Sequence, residues 1–243
     1  MNNKECNFTD NQFSALFTKY NKFKKTTDKR YSLSNEILYK LCREHIKHEK
    51  KEEIEAKLLL IGRTYAASIE RRKTKETKQY NNGDFIYDHI MKIFINENGI
   101  TRLAKELDAT ITELNKEFDF NIDNIDKLLK IHKKLIDATF KYTKNEKRSL
   151  CSKYLHFHCP KAAYMYDSRA NAAITKFVRK QKFIIFQDDI TLTFNDYYDN
   201  EYFDFLARIA ILKKRIKQWT PRQIDNFLLW YADNVLKLKH DNM

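Results

Sequence analysis

A chain of 243 residues with 42% hydrophobic and 14% aromatic side chains can bury a substantial core and is not a disordered polymer. It holds only three glycines and two prolines. That scarcity argues against sandwiches, barrels and doubly wound sheets, and it excludes the glycine-rich phosphate loops of P-loop and Rossmann proteins.

The amino terminus, MNNKECNFTDN, lacks the charged-then-apolar layout of a signal peptide. Apolar runs such as Leu58 to Ile61 are too short to span a bilayer. A cytoplasmic chain with four reduced cysteines is expected.

Helical periodicity then recurs in order. Ser34 can cap a helix carrying Ile37, Leu38 and Leu41, and a longer one follows with Ile54, Leu58, Ile61, Tyr65 and Ile69 on one stripe. The polar stretch Lys73 to Gly83 marks a boundary. Helices are expected over 84–96, 100–118 and 124–142. A short one broken by Pro160 comes next, then 169–180, capped by Asp167 or Ser168. Residues 183–194 read as the one plausible β-hairpin, and helices over 197–219 and from Thr220-Pro221 close the chain. The fold class expected is all-α and two-lobed: a basic outer lobe (1–80), a central lobe (81–150), and a catalytic segment with closing helices (151–243) packed back on the first.

The net charge of +13 points to a polyanion, of which nucleic acid is the commonest. Lysine outnumbers arginine, and Asn and Ile are abundant, so compositional bias is the competing explanation. Distribution favours nucleic acid. Residues 1–80 carry 19 basic and 11 acidic side chains, 81–150 carry 12 and 12, and 151–243 carry 15 and 10.

Three segments look over-specified for packing. In Gly62 to Arg72, small residues permit close approach, and Arg63 and Arg71 share a helical face. Tyr65, Arg63 and Ser68 are candidates for a base pocket or phosphate contact, with Arg71 and Arg72 beside them. In Ser149 to Arg169, Lys153 opens a short helix, Pro160 ends it, and Asp167 heads the next. Tyr154, His156, His158 and Arg169 are candidate nucleic-acid contacts there. The third segment runs from Thr220 to Tyr231.

Together these segments resemble the helix-hairpin-helix DNA glycosylase superfamily, especially its 8-oxoguanine-glycosylase-like branch, which includes bacterial anti-phage enzymes acting on hypermodified bases. By that resemblance Lys153 matches the family's lysine, and Asp167 matches its helix-heading aspartate. Tyr154, His156, His158 and Arg169 would then be DNA or base contacts. The partner implied is double-stranded DNA carrying modified bases, with a monomeric enzyme and no cofactor, metal, membrane or obligate protein partner. Arg148 to Ser152, where the family's hairpin reads Gly-x-Gly, has no glycine, so the hairpin is expected to be remodelled or lost.

The residue types suit the chemistry. Breaking an N-glycosidic bond builds positive charge on the sugar, which a carboxylate at Asp167 would stabilise. Lys153 would be the nucleophile, through a Schiff base with lyase activity, or an electrostatic helper. The base must be flipped into a pocket. The excised base would be a phage hypermodified cytosine, such as glucosylated hydroxymethylcytosine, or an oxidised purine in repair. Rival readings are a non-enzymatic helical DNA-binding module, zinc on Cys151, His156, His158 and Cys159, and a magnesium nuclease. The last would use Asp188, Asp189, Asp196, Asp199, Glu201 and Asp204.

Overall fold

The computed structural model describes residues 6–27, 32–67, 69, 89–116, 119–186 and 190–237. Among them are nine α-helices and two short antiparallel strand pairs, an all-α architecture with minor β structure. The helices are α1 (Asp10–Thr27), α2 (Ser32–Glu44), α3 (Lys51–Thr64), α4 (Arg102–Lys116) and α5 (Ile122–Thr143). They continue with α6 (Arg148–His158), α7 (Ser168–Phe177), α8 (Asn200–Arg215) and α9 (Pro221–Asn234).

Helix α6 organises the molecule. It contacts α2, α3 and α5, and every residue from Leu150 to His158 is buried. A second layer forms where α9 lies along α7, and α7 and the strand Phe183–Ile185 pack on α8. Helix α1 has no counterpart among the expected elements. Its Phe13, Phe17 and Tyr20 recur at helical spacing and pack against Phe227 of α9, and Tyr20 also meets Trp230. The first helix therefore belongs with the last.

Capping chemistry sets several boundaries. Thr220 and Gln223 form a reciprocal capping box with Pro221 just inside α9, as expected from Thr220-Pro221. Asn121, Asp167 and Asp199 accept amide hydrogens at the starts of α5, α7 and α8. The hairpin expected over 183–194 is present as β3 (Phe183–Ile185) and β4 (Thr191–Thr193), with Ile184 opposite Leu192.

Two expectations are corrected. Helix α3 stops at Thr64 instead of running through Ile69. Ala66 takes a left-handed φ of 49°, and the Ala67 amide returns to the Gly62 carbonyl at 2.8 Å, a Schellman-type ending without glycine. Arg63 stands in the last turn of α3, and Arg71 lies outside the described residues. The helix expected over 84–96 is replaced, in its described part, by a 3-10 turn (Met91–Ile93) and strand β1 (Ile95–Asn96). This strand pairs with β2 (Gly99–Ile100) through a turn in which Gly99 has φ 92°. Arg148 to Ser152, where the hairpin is expected to be remodelled or lost, forms the first turns of α6. The connection from α5 is Lys144 to Lys147, and Lys144 supplies the left-handed position at φ 52° that glycine would ordinarily take. The Lys73–Gly83 boundary lies outside the described residues.

Candidate functional site

Lys153 faces out of α6 toward the start of α7. Its Nζ donates to Asp167 Oδ2 at 3.2 Å and to Ser149 Oγ at 2.9 Å, and it lies 3.4 Å from the Tyr65 carbonyl oxygen. That carbonyl is available because α3 has just ended. The two charged residues stand 14 apart in sequence, and the connecting strand of chain is pinned to bring them together. The Tyr166 amide donates to Ser152 Oγ at 2.9 Å, His156 Nδ1 to the Ala163 carbonyl at 2.8 Å, and Tyr202 Oη to the Tyr164 carbonyl at 2.8 Å.

Asp167 is the N-cap of α7, and its Oδ1 accepts from the Arg169 amide at 3.0 Å. Burial opposes its charge. The Lys153 ammonium, the Arg169 amide and the Arg169 guanidinium together outweigh that burial and hold the carboxyl below its usual range. Arg169 Nε is 3.6 Å from Asp167 Oδ1, while its Nη1 donates to Asp233 on α9 at 2.9 Å.

A second cation–carboxylate pair adjoins the first. Arg222 Nη1 is 3.3 Å from Asp225 Oδ2. Both cations sit over one aromatic ring: Lys153 Nζ lies 5.8 Å, and the Arg222 guanidinium carbon 5.4 Å, from the centre of Tyr65. Tyr65 is fixed by its hydroxyl donating to Asn35 Oδ1 and by packing on Phe157. Beyond Phe157, one turn along α6 from Lys153, a cavity of about 750 Å³ is walled by Tyr39, Phe157 and Pro160, with Lys40 and Arg43 beside them.

The remaining expected contacts divide. Arg169 and Tyr65 join the Lys153–Asp167 cluster, whereas Arg63 is exposed at the end of α3. Ser68, Arg71 and Arg72 lie outside the described residues. Tyr154, His156 and His158 are corrected from DNA-facing groups to core groups, because α6 is enclosed along this stretch. Tyr154 Oη donates to His48 Nε2 at 2.7 Å, and His48 Nδ1 donates to Asp108 at 2.5 Å. His156 accepts from Tyr39 Oη at 2.6 Å, and His158 Nδ1 donates to the Tyr154 carbonyl at 2.8 Å, although one edge of His158 reaches the cavity wall.

The buried imidazoles are neutral. Burial pushes His132 and His156 down to about 4, and lowers His48 and His158 as well. The unfolded chain, with ordinary histidines, takes up protons between pH 6.5 and 4 that the folded chain refuses. Stability is therefore expected to be full above pH 6.5 and to fall as pH drops toward 4, by roughly 3 kcal/mol for each of His132 and His156. Urea midpoints measured from pH 7.5 to 4.5 check this, and a flat series would refute it.

The metal readings find no geometry in their favour. Cys151 packs near Thr139, Cys159 near the Ile111 carbonyl, and the two histidines are bonded as described. Asp199 and Glu201 engage Arg148, and Asp204 engages Arg208. Among the described residues no group of three or more His, Cys, Asp or Glu side chains is arranged to hold a metal ion. Asp188 and Asp189 lie outside the described residues. Among the described residues, too, no helix is long and apolar enough to cross a membrane.

Ser149, Ser152, Arg222 and Asp225 are the members of this cluster that the sequence reading does not single out. For the last two a signal existed. Asp225 interrupts the apolar stripe that Ile224, Phe227, Leu228 and Tyr231 place on the buried face of α9, and a charge on a core face asks for a reason. Comparison with protein-family models, with curated proteins and with solved structures finds no match for this chain.

Proposed function

We propose that this protein is a DNA N-glycosylase that excises a modified base, with phage hypermodified cytosine as the substrate class and antiviral defence as the setting. The observation that supports this most is the Lys153–Asp167 pair. An ion pair 3.2 Å long, with the lysine 4% and the aspartate 20% exposed, stands at a helix N-terminus beside Tyr65 and two arginines. The cationic surroundings suit a phosphodiester chain, and the ionised aspartate suits the charge that develops on the sugar.

In this reading the C1′–N bond lengthens, positive charge spreads over C1′ and the ring oxygen, and Asp167 stabilises it. Lys153 holds the aspartate in place through its ammonium group. To act as a nucleophile it must first give up a proton, and Asp167 is the base within reach.

The test uses unmodified DNA, DNA with oxidised purines, and DNA carrying glucosylated hydroxymethylcytosine, each incubated with protein in EDTA and then assayed for abasic sites. Abasic sites confined to the glucosylated DNA are the expected result. Binding without base loss would instead identify a DNA-binding module, and strand cleavage only after magnesium is added would identify a nuclease. A covalent adduct trapped with borohydride in an active sample assigns Lys153 as nucleophile, and its absence assigns the electrostatic role.

A further inference from the structure

Two aspartates share the cations Lys153 and Arg169, but the protein treats them differently. Asp167 accepts from the Lys153 ammonium and a backbone amide. Asp225, only 4% exposed, has one side-chain hydrogen bond among the described residues, a long one of 3.3 Å from Arg222. Arg222 divides itself: its Nη1 also lies 3.8 Å from Met165 Sδ, and its guanidinium rests on Tyr65. The Arg222 contact is to Oδ2, and among the described residues Oδ1 of Asp225 accepts no hydrogen bond.

An internal comparison shows what this means. Asp199 is also buried, yet Arg148 grips it at two points, 2.6 and 2.9 Å, and its carboxyl stays below its usual range despite the burial. Asp225 lies deeper than Asp199, and Asp199 also accepts from the Tyr202 amide at 2.8 Å. Asp225 has only the long Arg222 contact among the described residues, and a poorly paired buried carboxyl takes up a proton.

We propose that Asp225 is the acid of this site, the group that gives a proton to the departing base while Asp167 stays ionised. The inference rests on the glycosylase reading. As the C1′–N bond breaks, its electron pair passes to the base, and the Asp225 carboxyl proton passes to the base, which leaves neutral. Water then forms the new C1′–O bond, and the proton it loses restores Asp225.

The groups facing Asp225 are Arg222 on its own helix, Lys153 on α6, Asp167 and Arg169 on α7, and the hydroxyls of Tyr39 and Tyr65. Burial raises Asp225 to about 6 against the pull of Arg222 and Lys153, and the charge on Asp167 adds to the rise. Two carboxyls with environments that move them in opposite directions are the arrangement that divides acid from base work.

The experiment has two arms. Single-turnover base release on glucosylated DNA is followed from pH 5 to 8. The wild-type rate is expected to fall about tenfold per pH unit above 6, Asp225→Asn to be slower and to lose that limb, and Asp225→Glu to regain it. An unchanged limb in Asp225→Asn overturns the assignment. Carbon-13 NMR of labelled aspartate in the protein without DNA is the second arm. A carboxyl titrating near 6, absent from Asp225→Asn, is expected, and an Asp225 ionised throughout pH 5 to 7 overturns the inference whatever the activity. If that titration is present but wild-type protein releases no base, the glycosylase reading fails, and the acid role fails with it.

Discussion

Arg148→Ala is expected to cost the folded state about 3–5 kcal/mol, the loss typical of a buried ion pair deprived of one partner. Arg148 Nε and Nη2 bind the two oxygens of Asp199, a side chain 7% exposed, and Nη1 and Nη2 reach Glu201 and Glu146. Without the guanidinium, Asp199 is a buried charge with no counter-ion, and it also caps α8. Arg148→Lys is expected to recover only part of the loss, because an ammonium group cannot make the two-point contact. Urea unfolding at pH 7 measures the effect, and the double variant Arg148→Ala/Asp199→Asn should be more stable than Arg148→Ala alone. A loss below about 1 kcal/mol, the scale of an exposed pair, would show that the network is solvated. The consequence reaches the site, since Arg148 sits at the first turn of α6, five residues before Lys153.

Asp167→Asn is expected to lower base release by about 10²–10³-fold or more, the scale on which one preorganised electrostatic group acts in a transition state. Asparagine caps a helix as well as aspartate does, so the start of α7 should survive. The stability cost should stay near the 1.5–3 kcal/mol of a lost charged hydrogen bond, roughly 2 kcal/mol, from the weakened contact to Lys153. DNA affinity should hold, because the substitution removes a negative charge beside phosphate. Rates, melting and binding measured on one preparation separate these effects. Base release at the wild-type rate would remove Asp167 from the chemistry.

How far the site could be read from the chain depends on what each residue interacts with. Asp167 declares itself, because a helix cap is a local arrangement of neighbours in sequence. Its approach to Lys153 was expected from resemblance alone, and in the structure it depends on Ser152 clasping Tyr166 across the chain that follows α6. Tyr154, His156 and His158 look like ligand-binding groups in sequence, but their partners are His48, Tyr39 and Lys57, which no spacing rule connects to them. Arg222 and Asp225 lie in the third segment, but their place beside Lys153 and Asp167 follows only from the packing of α9 against the other helices.

The same division holds for the fold. Local chemistry by itself determined the all-helical class, the Thr220-Pro221 start of α9, the Asp167 cap and the β3–β4 hairpin, since each depends on residues within a few positions of one another. Tertiary structure decided where α3 ends, because a left-handed Ala66 costs energy that only packing can repay. It also decided that α1 joins α9, and that a glycine-free turn at Lys144 connects α5 to α6. Glycine scarcity predicted helices correctly, but the left-handed positions remained necessary, and alanine and lysine fill two of them. Burial is a property of the assembled layers rather than of any segment. For that reason the sequence could name charged residues, while only the packed structure separated Asp167, which Lys153 and the Arg169 amide hold below the usual carboxylate range, from Asp225, which burial pushes up.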